Sequence, residues 1–549
     1  MTIRKCRMLL LLICGTAIAQ NTTQNATAPP EPAVVEGVVL KLGTTNPIQS
    51  VVVSFTPISG SAKTGTTSAD GRFTVSGLQP GYYSVSVTRT GFVRPPHASG
   101  PKNLTLTAGE HLKDVGLRMV ATSAITGRVV DENGQPKDRV SVVPIRPHYE
   151  YGRQVMSPCY GGDGKSAMTD DTGVYRIYGL EPGDYYVAVA DGACATQYYP
   201  DVSDPADAVR VKVQSGTEAG SIDFHLKKKE LHTARFKLVL PPALTANTPL
   251  TTTQIVRRSR NGINTTEILN LGRNIGVDGD TLTTPGLPRG SYELFYDADL
   301  GVKIGHAAFE IMDRDIDGGE IVVRPNTALA GQIHAAGALP AGWTFNSARI
   351  TLRPLDGRDR LMTTTIGTLS TAAADGSFLL AFAPNAGTTE RPGTVAEGRY
   401  LVDVAGLAPV MYISAAKYGG HDALSEGLVI DGTPPNPLEI TVDIGGTVTG
   451  TVRNAKDEIV ADSRVVLIPA QNRRSNLLLF KTAFTDQHGN FSIRGVAPGD
   501  YGAIAWEDVE PGAWMNADFL KDFESRAVRV SVLGTSVVNT VVRVIPYSD

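Results

Sequence analysis

A short corner motif recurs along this chain at the spacing of a protein domain. Residues 77–83 read GLQPGYY, residues 179–185 read GLEPGDY and residues 495–501 read GVAPGDY. Weaker copies end at Tyr292 and Tyr400. The aligned tyrosines at 83, 185, 292, 400 and 501 are therefore 102, 107, 108 and 101 residues apart. A period of that length is a whole domain and not a solenoid turn, so the chain is predicted to hold five tandem domains.

The segment before each corner alternates like a strand with one buried face. Residues 70–75 read DGRFTV, residues 172–177 read TGVYRI and residues 488–493 read HGNFSI. In each copy the aromatic residue after the turn shares a strand face with the aliphatic residue two positions later. Short strands with regular turn signals and no long helical period predict an all-β chain of antiparallel sandwiches.

The corner itself predicts how its tyrosine is used. Proline fixes φ at the corner and the following glycine permits the reversal of the chain. We expect each tyrosine ring to pack in the core or at its edge, with its hydroxyl group bonded to a nearby backbone carbonyl.

These motifs resemble the carboxypeptidase regulatory-like domain. The best fit is the segment 169–185, from TDDTGVY to its corner, followed by 485–501 and by the first copy through Tyr83. The resemblance implies a seven-stranded β-sandwich of the prealbumin (transthyretin-like) type, grouped with the carbohydrate-binding-like folds. Domains three and four are assigned more by period, because Arg289 replaces the corner proline in one and Glu397 in the other. The segment 505–514, AWEDVEPGAW, is similar to a tail common in exported bacterial proteins built of such domains.

The N-terminus is predicted to be a signal peptide. Arg4, Lys5 and Arg7 precede an apolar run, and Ala17-Ile18-Ala19 forms a cleavage site. The full division is a signal peptide 1–19, a flexible leader 20–34 and sandwiches 35–120, 121–228, 229–325, 326–443 and 444–549. The mature chain is expected in the periplasm, outside the cell or at the outer envelope, with no transmembrane span.

Composition and motifs argue against several function classes. The net charge of −4 does not favour nucleic-acid binding, which needs clustered Lys and Arg. None of the nine histidines is followed three residues later by Glu, so the zinc site of a carboxypeptidase is not predicted. We expect no cofactor, no metal and no enzymatic activity. An accessory array of an unrecognised hydrolase is the weakest alternative.

Candidate binding residues are predicted where the domains differ from each other. The aromatic and charged segment of domain two supplies Arg146, His148, Tyr149, Tyr151 and Arg153, and domain five supplies Trp506 and Trp514. Exposed aromatic rings flanked by polar side chains can stack on sugars. The alternative, which the residue types favour, is that such rings cap the end of a sandwich or pack structurally.

Two cysteines remain after signal cleavage. Cys159 and Cys194 both lie in domain two, and a pair within one exported domain favours a disulfide; two unpaired buried thiols are the alternative. The function predicted from sequence is a non-catalytic exported binding or scaffold protein. Polysaccharide is the ligand class that the fold family implies; a spacer that binds a protein partner at the cell envelope is the alternative.

Overall fold

The structure is a computed structural model of the 549-residue chain. It describes residues 30–95, 100, 103–156, 165–191, 194–227, 230–240, 250–258, 264–265, 276–298, 303–325, 328–355, 368–380, 395, 397–431, 436–486 and 488–547. The predicted signal peptide, most of the leader and Cys159 lie outside these residues, and the side chain of Cys194 is not described. The disulfide therefore stays a prediction.

Short strands dominate the described chain and fall into five consecutive groups. Domain one contains β1 (Ala33–Lys41), β2 (Val52–Pro57), β3 (Lys63–Thr66), β4 (Arg72–Leu78), β5 (Gly81–Thr88), β6 (Phe92–Val93), β7 (Asn103–Leu106) and β8 (His111–Ala121). Domain two contains β9 (Ser123–Val130), β10 (Ser141–Ile145), β11 (His148–Glu150), β12 (Arg153–Met156), β13 (Ala167–Met168), β14 (Val174–Leu180), β15 (Gly183–Asp191), β16 (Cys194–Tyr198), β17 (Val211–Val213), β18 (Glu218–Ala219) and β19 (Phe224–His225).

The middle of the chain continues in the same manner. Domain three contains β20 (Ala234–Val239), β21 (Leu250–Arg258), β22 (Asn264–Thr265), β23 (Gly276–Asp278), β24 (Thr281–Thr283), β25 (Gly290–Ala298), β26 (Lys303–Ile311), β27 (Ile316–Val322) and β28 (Arg324–Pro325). Domain four contains β29 (Leu329–Ala335), β30 (Arg349–Pro354), β31 (Thr368–Thr371), β32 (Ser377–Leu380), β33 (Gly398–Ala405), β34 (Met411–Tyr418), β35 (His421–Asp422), β36 (Leu428–Ile430) and β37 (Leu438–Ile444).

Domain five adds helical turns to its strands. It contains β38 (Gly446–Arg453), β39 (Arg464–Pro469), β40 (Lys481–Phe484), β41 (Asn490–Val496), β42 (Gly499–Trp506), α1 (Ala517–Lys521), β43 (Val528–Val532) and β44 (Val537–Ile545). Short 3-10 helices lie at Pro205–Asp207, Phe345–Ser347, Gln471–Arg473, Leu477–Leu479, Ala513–Met515 and Glu524–Arg526.

Two sheets face each other across a core, as domain one shows. Its sheets have the orders β4-β1-β8-β6 and β3-β2-β5-β7. In β4 the residues Phe73 and Val75 are buried while their neighbours Arg72 and Thr74 are exposed, which is the predicted alternation. The core between the sheets includes Val35, Phe55, Phe73, Tyr83 and Leu117. The predicted all-β sandwich architecture is confirmed.

In every domain the first strand pairs in parallel with a strand near the end of that domain, which the sequence did not indicate. β1 pairs with β8 in parallel, with Val34 opposite His111. The same first-to-last pairing joins β9 to β18 and β19, β20 to β27, β29 to β37, and β38 to β44. It arises because the last strand returns from the opposite sheet and enters beside the first strand from the same end.

A glycine turn precedes the alternating strand β14 of domain two. Gly173 has a φ of 78°, a conformation that glycine adopts without strain. The Asp170 carboxylate accepts backbone N–H groups from Thr172 and Val174, each at 2.9 Å. That carboxylate therefore closes the turn before β14.

The corner tyrosines are buried and their hydroxyl groups are bonded. The Tyr83 hydroxyl donates to the carbonyl oxygen of Gln79 at 2.8 Å. The same bond, always to the residue four positions earlier, joins Tyr185 to Glu181 (2.9 Å), Tyr292 to Pro288 (2.7 Å) and Tyr501 to Ala497 (2.8 Å). Each bond ties a new strand to the turn that precedes it.

Removing one of these hydroxyl groups should weaken its own domain. Tyr83→Phe leaves the ring in the core but deletes the bond to Gln79, and we expect a loss of about 1 kcal/mol in local stability. Hydrogen–deuterium exchange of β4 and β5 in the full chain measures this. Tyr82→Phe is the matched control, because Tyr82 is 45% exposed. Equal exchange in both variants would show that the bond contributes nothing to the local stability of domain one.

Candidate functional site

Domains two and five bury both faces of one sheet. In domain one, β2 alternates between buried and accessible residues, but β10 and β39 are buried along nearly their whole length. A second apolar cluster therefore lies outside each sandwich core. In domain two it includes Val143, Ile145, Met156, Tyr186 and Tyr198, and in domain five Val466, Ile504, Trp506, Trp514 and Leu520.

The segment 507–527, which we call the tail, covers the outer face of domain five. It contributes Trp514 and, from α1, Phe519 to the outer cluster. Trp506 from β42 and Trp514 are only 2% and 5% exposed. The ring centroids of Trp506 and Phe523 are 5.6 Å apart. Since both indoles are covered by protein, neither offers a free face to a sugar ring in this structure.

The predicted binding segment of domain two is a β-hairpin. β11 and β12 pair antiparallel, with Glu150 opposite Arg153, and we call residues 148–156 the hairpin. Tyr151 and Gly152 form its turn with positive φ values of 49° and 77°. Two consecutive residues with positive φ match the type I′ turn that suits the twist of a hairpin.

The hairpin packs directly on the tail of domain five. The Tyr149 and Phe519 rings meet edge to face with centroids 6.1 Å apart. The Asn516 side-chain amide donates to the carbonyl oxygen of Gly152 at 2.8 Å. A Cβ atom on Gly152 would lie 2.6 Å from the carbonyl oxygen of Met515, so only glycine permits this approach. The two segments that the sequence singled out separately thus form one interface.

The hairpin also contacts two further domains. β12 pairs in parallel with β22 of domain three, with Val155 opposite Asn264. The Arg153 guanidinium donates to the carbonyl oxygen of Leu355 in domain four at 2.5 Å. Domains three, four and five therefore all meet this one element of domain two.

Domain one contacts domain five as well. The backbone N–H of Gly100 donates to the Asp462 carboxylate, and Arg94 donates to the carbonyl oxygen of Gly100 at 2.9 Å. Burial lowers the pKa of Arg118, and the facing Glu507 carboxylate opposes that shift.

A charged cluster accompanies the interface between hairpin and tail. Arg146 and Glu181 form an ion pair at 2.9 Å. Asp508 is surrounded by these two groups together with Glu510 and Arg464. The pKa of Asp508 is raised to about 6, mainly by burial; Glu510 and Glu181 add to this shift, and the two arginines oppose it. Its Oδ1 atom is buried and has no hydrogen-bond partner in the described structure.

The remaining predicted residue of the hairpin forms a local pair. His148 lies 3.4 Å from the Glu150 carboxylate. Sugar binding by Arg146, His148, Tyr149, Tyr151 and Arg153 stays a prediction. In the described ranges, no group of three or more His, Cys, Asp or Glu side chains is placed to hold a metal ion. Within the same ranges, every helix is too short or too polar to span a membrane.

Comparison with known proteins identifies one family. Residues 34–118 match the model of the carboxypeptidase regulatory-like domain. The matched segment is domain one, whereas the motifs favoured domain two as the best copy. No curated protein matches the chain.

Several solved structures are similar over part of the chain. The Bacillus anthracis TIE protein is 17% identical, with 54% of this chain and 51% of that chain covered and a TM-score of 0.16. This chain thus spans about half the length of that protein. The Streptococcal ancillary pilin is 15% identical over 54% of this chain and 100% of that chain, with a TM-score of 0.18. BcpA, the major pilin subunit of Bacillus cereus, is 11% identical over 54% and 100%, with a TM-score of 0.16. At these TM-scores the similarities carry no argument about function.

The interface should be more stable in acid than at neutral pH. Because the folded-state pKa of Asp508 lies near 6, above the ordinary 3.8, its stabilising contribution is present at low pH and is lost as the pH rises through about 6. Asp508→Asn cannot ionise, so we expect it to be about 1–3 kcal/mol more stable than the wild type at pH 7.5. The difference should shrink at pH 4.5. Urea unfolding at both pH values measures it.

Asp518→Asn provides the control within the same tail. The hydrogen bond from Lys521, with its positive charge, lowers the pKa of the exposed Asp518, so any contribution of Asp518 is lost as the pH falls. Its pH dependence therefore has the opposite sign. A loss of stability in Asp508→Asn at pH 7.5 would contradict the expected role of burial.

Proposed function

We propose that this chain, whose first domain is of the carboxypeptidase regulatory-like family, is a non-catalytic exported scaffold that holds its sandwich domains in a fixed arrangement. The observation that carries this function is the hairpin of domain two, which contacts domains three, four and five. A flexible string of domains does not need such an element, since its neighbours would be joined only by linkers.

The chemistry of the interface supports a permanent contact. The indoles of Trp506 and Trp514 are buried beneath the tail, and Tyr149 of the hairpin completes the same cluster. The close backbone approach at Gly152 leaves no room for a larger residue. Exposing this cluster by separating the domains would return a large apolar surface to water, which is unfavourable.

The proposed location and partner rest on the sequence. The segment 1–19 supports export, so the scaffold would act in the periplasm or outside the cell. A polysaccharide or an envelope protein is the partner that we propose for it. A rigid arrangement would present surfaces of several domains to such an extended partner at fixed distances.

Breaking the hairpin contact should expand the molecule without unfolding its domains. Gly152→Ala places a Cβ atom against the carbonyl oxygen of Met515. We expect a larger radius of gyration in small-angle X-ray scattering and faster proteolysis of the tail. Gly134→Ala is matched in backbone strain, with a φ of 76° against 77°, but its Cβ atom would meet no neighbour. Identical scattering from the two variants would exclude a clamping role for the hairpin.

Binding by the hairpin aromatics can be tested separately. A polysaccharide pull-down compares the wild type with the double variant Tyr149→Ala, Tyr151→Ala. If these rings bind sugar, retention on the glycan is lost in the double variant. Retention that persists would clear the hairpin as the binding site, and a specific co-purifying protein with no glycan retention would favour the protein partner.

A further inference from the structure

We propose that a cleft in domain five binds a carboxylate-bearing sugar. The cleft has a volume of about 480 Å³ and lies on the part of the outer sheet face that the tail leaves open. Cavities of this size accommodate small ligands such as a disaccharide. None of the residues predicted from sequence to bind a ligand lines the cleft. All of its lining residues belong to domain five, so ligand binding there would not depend on the contacts between domains.

Apolar residues of β39 and β42 line the floor of the cleft. Gly502 lies in the middle of β42, with Ile468 opposite on β39 and Ile504 two residues further on the same face. Ala527, at the end of the tail, forms one wall. A small apolar floor suits the C–H surface of a sugar ring.

Charged and polar side chains surround this floor. Arg474 and Glu524 form an ion pair at 2.5 Å, and the Ser531 hydroxyl donates to the Asp500 carboxylate at 2.5 Å. Arg529, opposite Gly502 on β43, is exposed and has no hydrogen-bond or ion-pair partner among the described residues. Both acidic groups of the cleft are therefore engaged, while one guanidinium is not.

This distribution of charge selects the ligand class. A free guanidinium forms its strongest contacts with a carboxylate, which it can bind through two N–H groups. The carboxylates of Asp500 and Glu524 retain lone pairs that can accept hydrogen bonds from hydroxyl groups. A ligand that satisfies both sets carries a carboxylate and several hydroxyl groups on a compact ring, as a uronic acid does.

Digalacturonate is the probe, with its dimethyl ester as the uncharged counterpart. Isothermal titration calorimetry and saturation-transfer NMR on the full mature chain should show binding of the acid and at least about tenfold weaker binding of the ester. Arg529→Gln should weaken binding of the acid to the level of the ester. Equal binding of acid and ester by the wild type, or no binding of the acid at all, would overturn the assignment.

Two further variants test whether binding depends on the cleft itself. Arg526→Gln removes an exposed arginine that does not line the cleft, and it should bind the acid as the wild type does. Ala527→Leu fills the cleft without changing its charge and should also abolish binding. If Arg526→Gln lost as much binding as Arg529→Gln, general surface charge and not the cleft would explain the binding. Unchanged scattering in the Arg529 and Ala527 variants would show that the scaffold itself is intact.

Discussion

One hydrogen bond underlies the repeated architecture: a buried tyrosine hydroxyl donates to the carbonyl oxygen four residues before it. The bond occurs at Tyr83, Tyr185, Tyr292 and Tyr501. The bond fixes the turn between two consecutive strands that lie in different sheets. The order of these two strands is therefore set by local contacts. The acceptor is a backbone carbonyl group, so the bond does not require proline at the corner, and Tyr292 keeps it although Arg289 has replaced that proline.

Such local devices made the sandwich architecture predictable. The turn closed by Asp170, the alternation in β4 and the corner tyrosines each depend on residues within a few positions of one another. The parallel pairing of first and last strands was not predictable in this way, because β1 and β8 are separated by most of a domain.

The interface and the cleft depend on contacts between distant segments. One signal for the interface was present: β10 and β39 read SVVPI and RVVLIP without polar alternation, which is typical of a strand covered on both faces. The sequence of these strands did not indicate which segment covers their second face. Trp506 and Trp514 were named as weak binding candidates from their residue type, with structural packing as the alternative, and both lie buried in the cluster beneath the tail. Arg474 and Arg529 carry no motif and meet only through folding.

Asn516 makes the contact between domains two and five depend on a residue that is synthesised long after domain two. Its side-chain oxygen accepts the N–H of Phe519 and so begins α1, while its amide group binds the carbonyl oxygen of Gly152, 364 residues earlier. During synthesis from the N-terminus, domain two must therefore wait with its hairpin uncovered until the tail of domain five emerges. The helix α1 then forms against a surface that is already folded. Closure of this interface therefore follows synthesis of the tail, and a chain that ended before the tail would display the uncovered hairpin to chaperones and proteases.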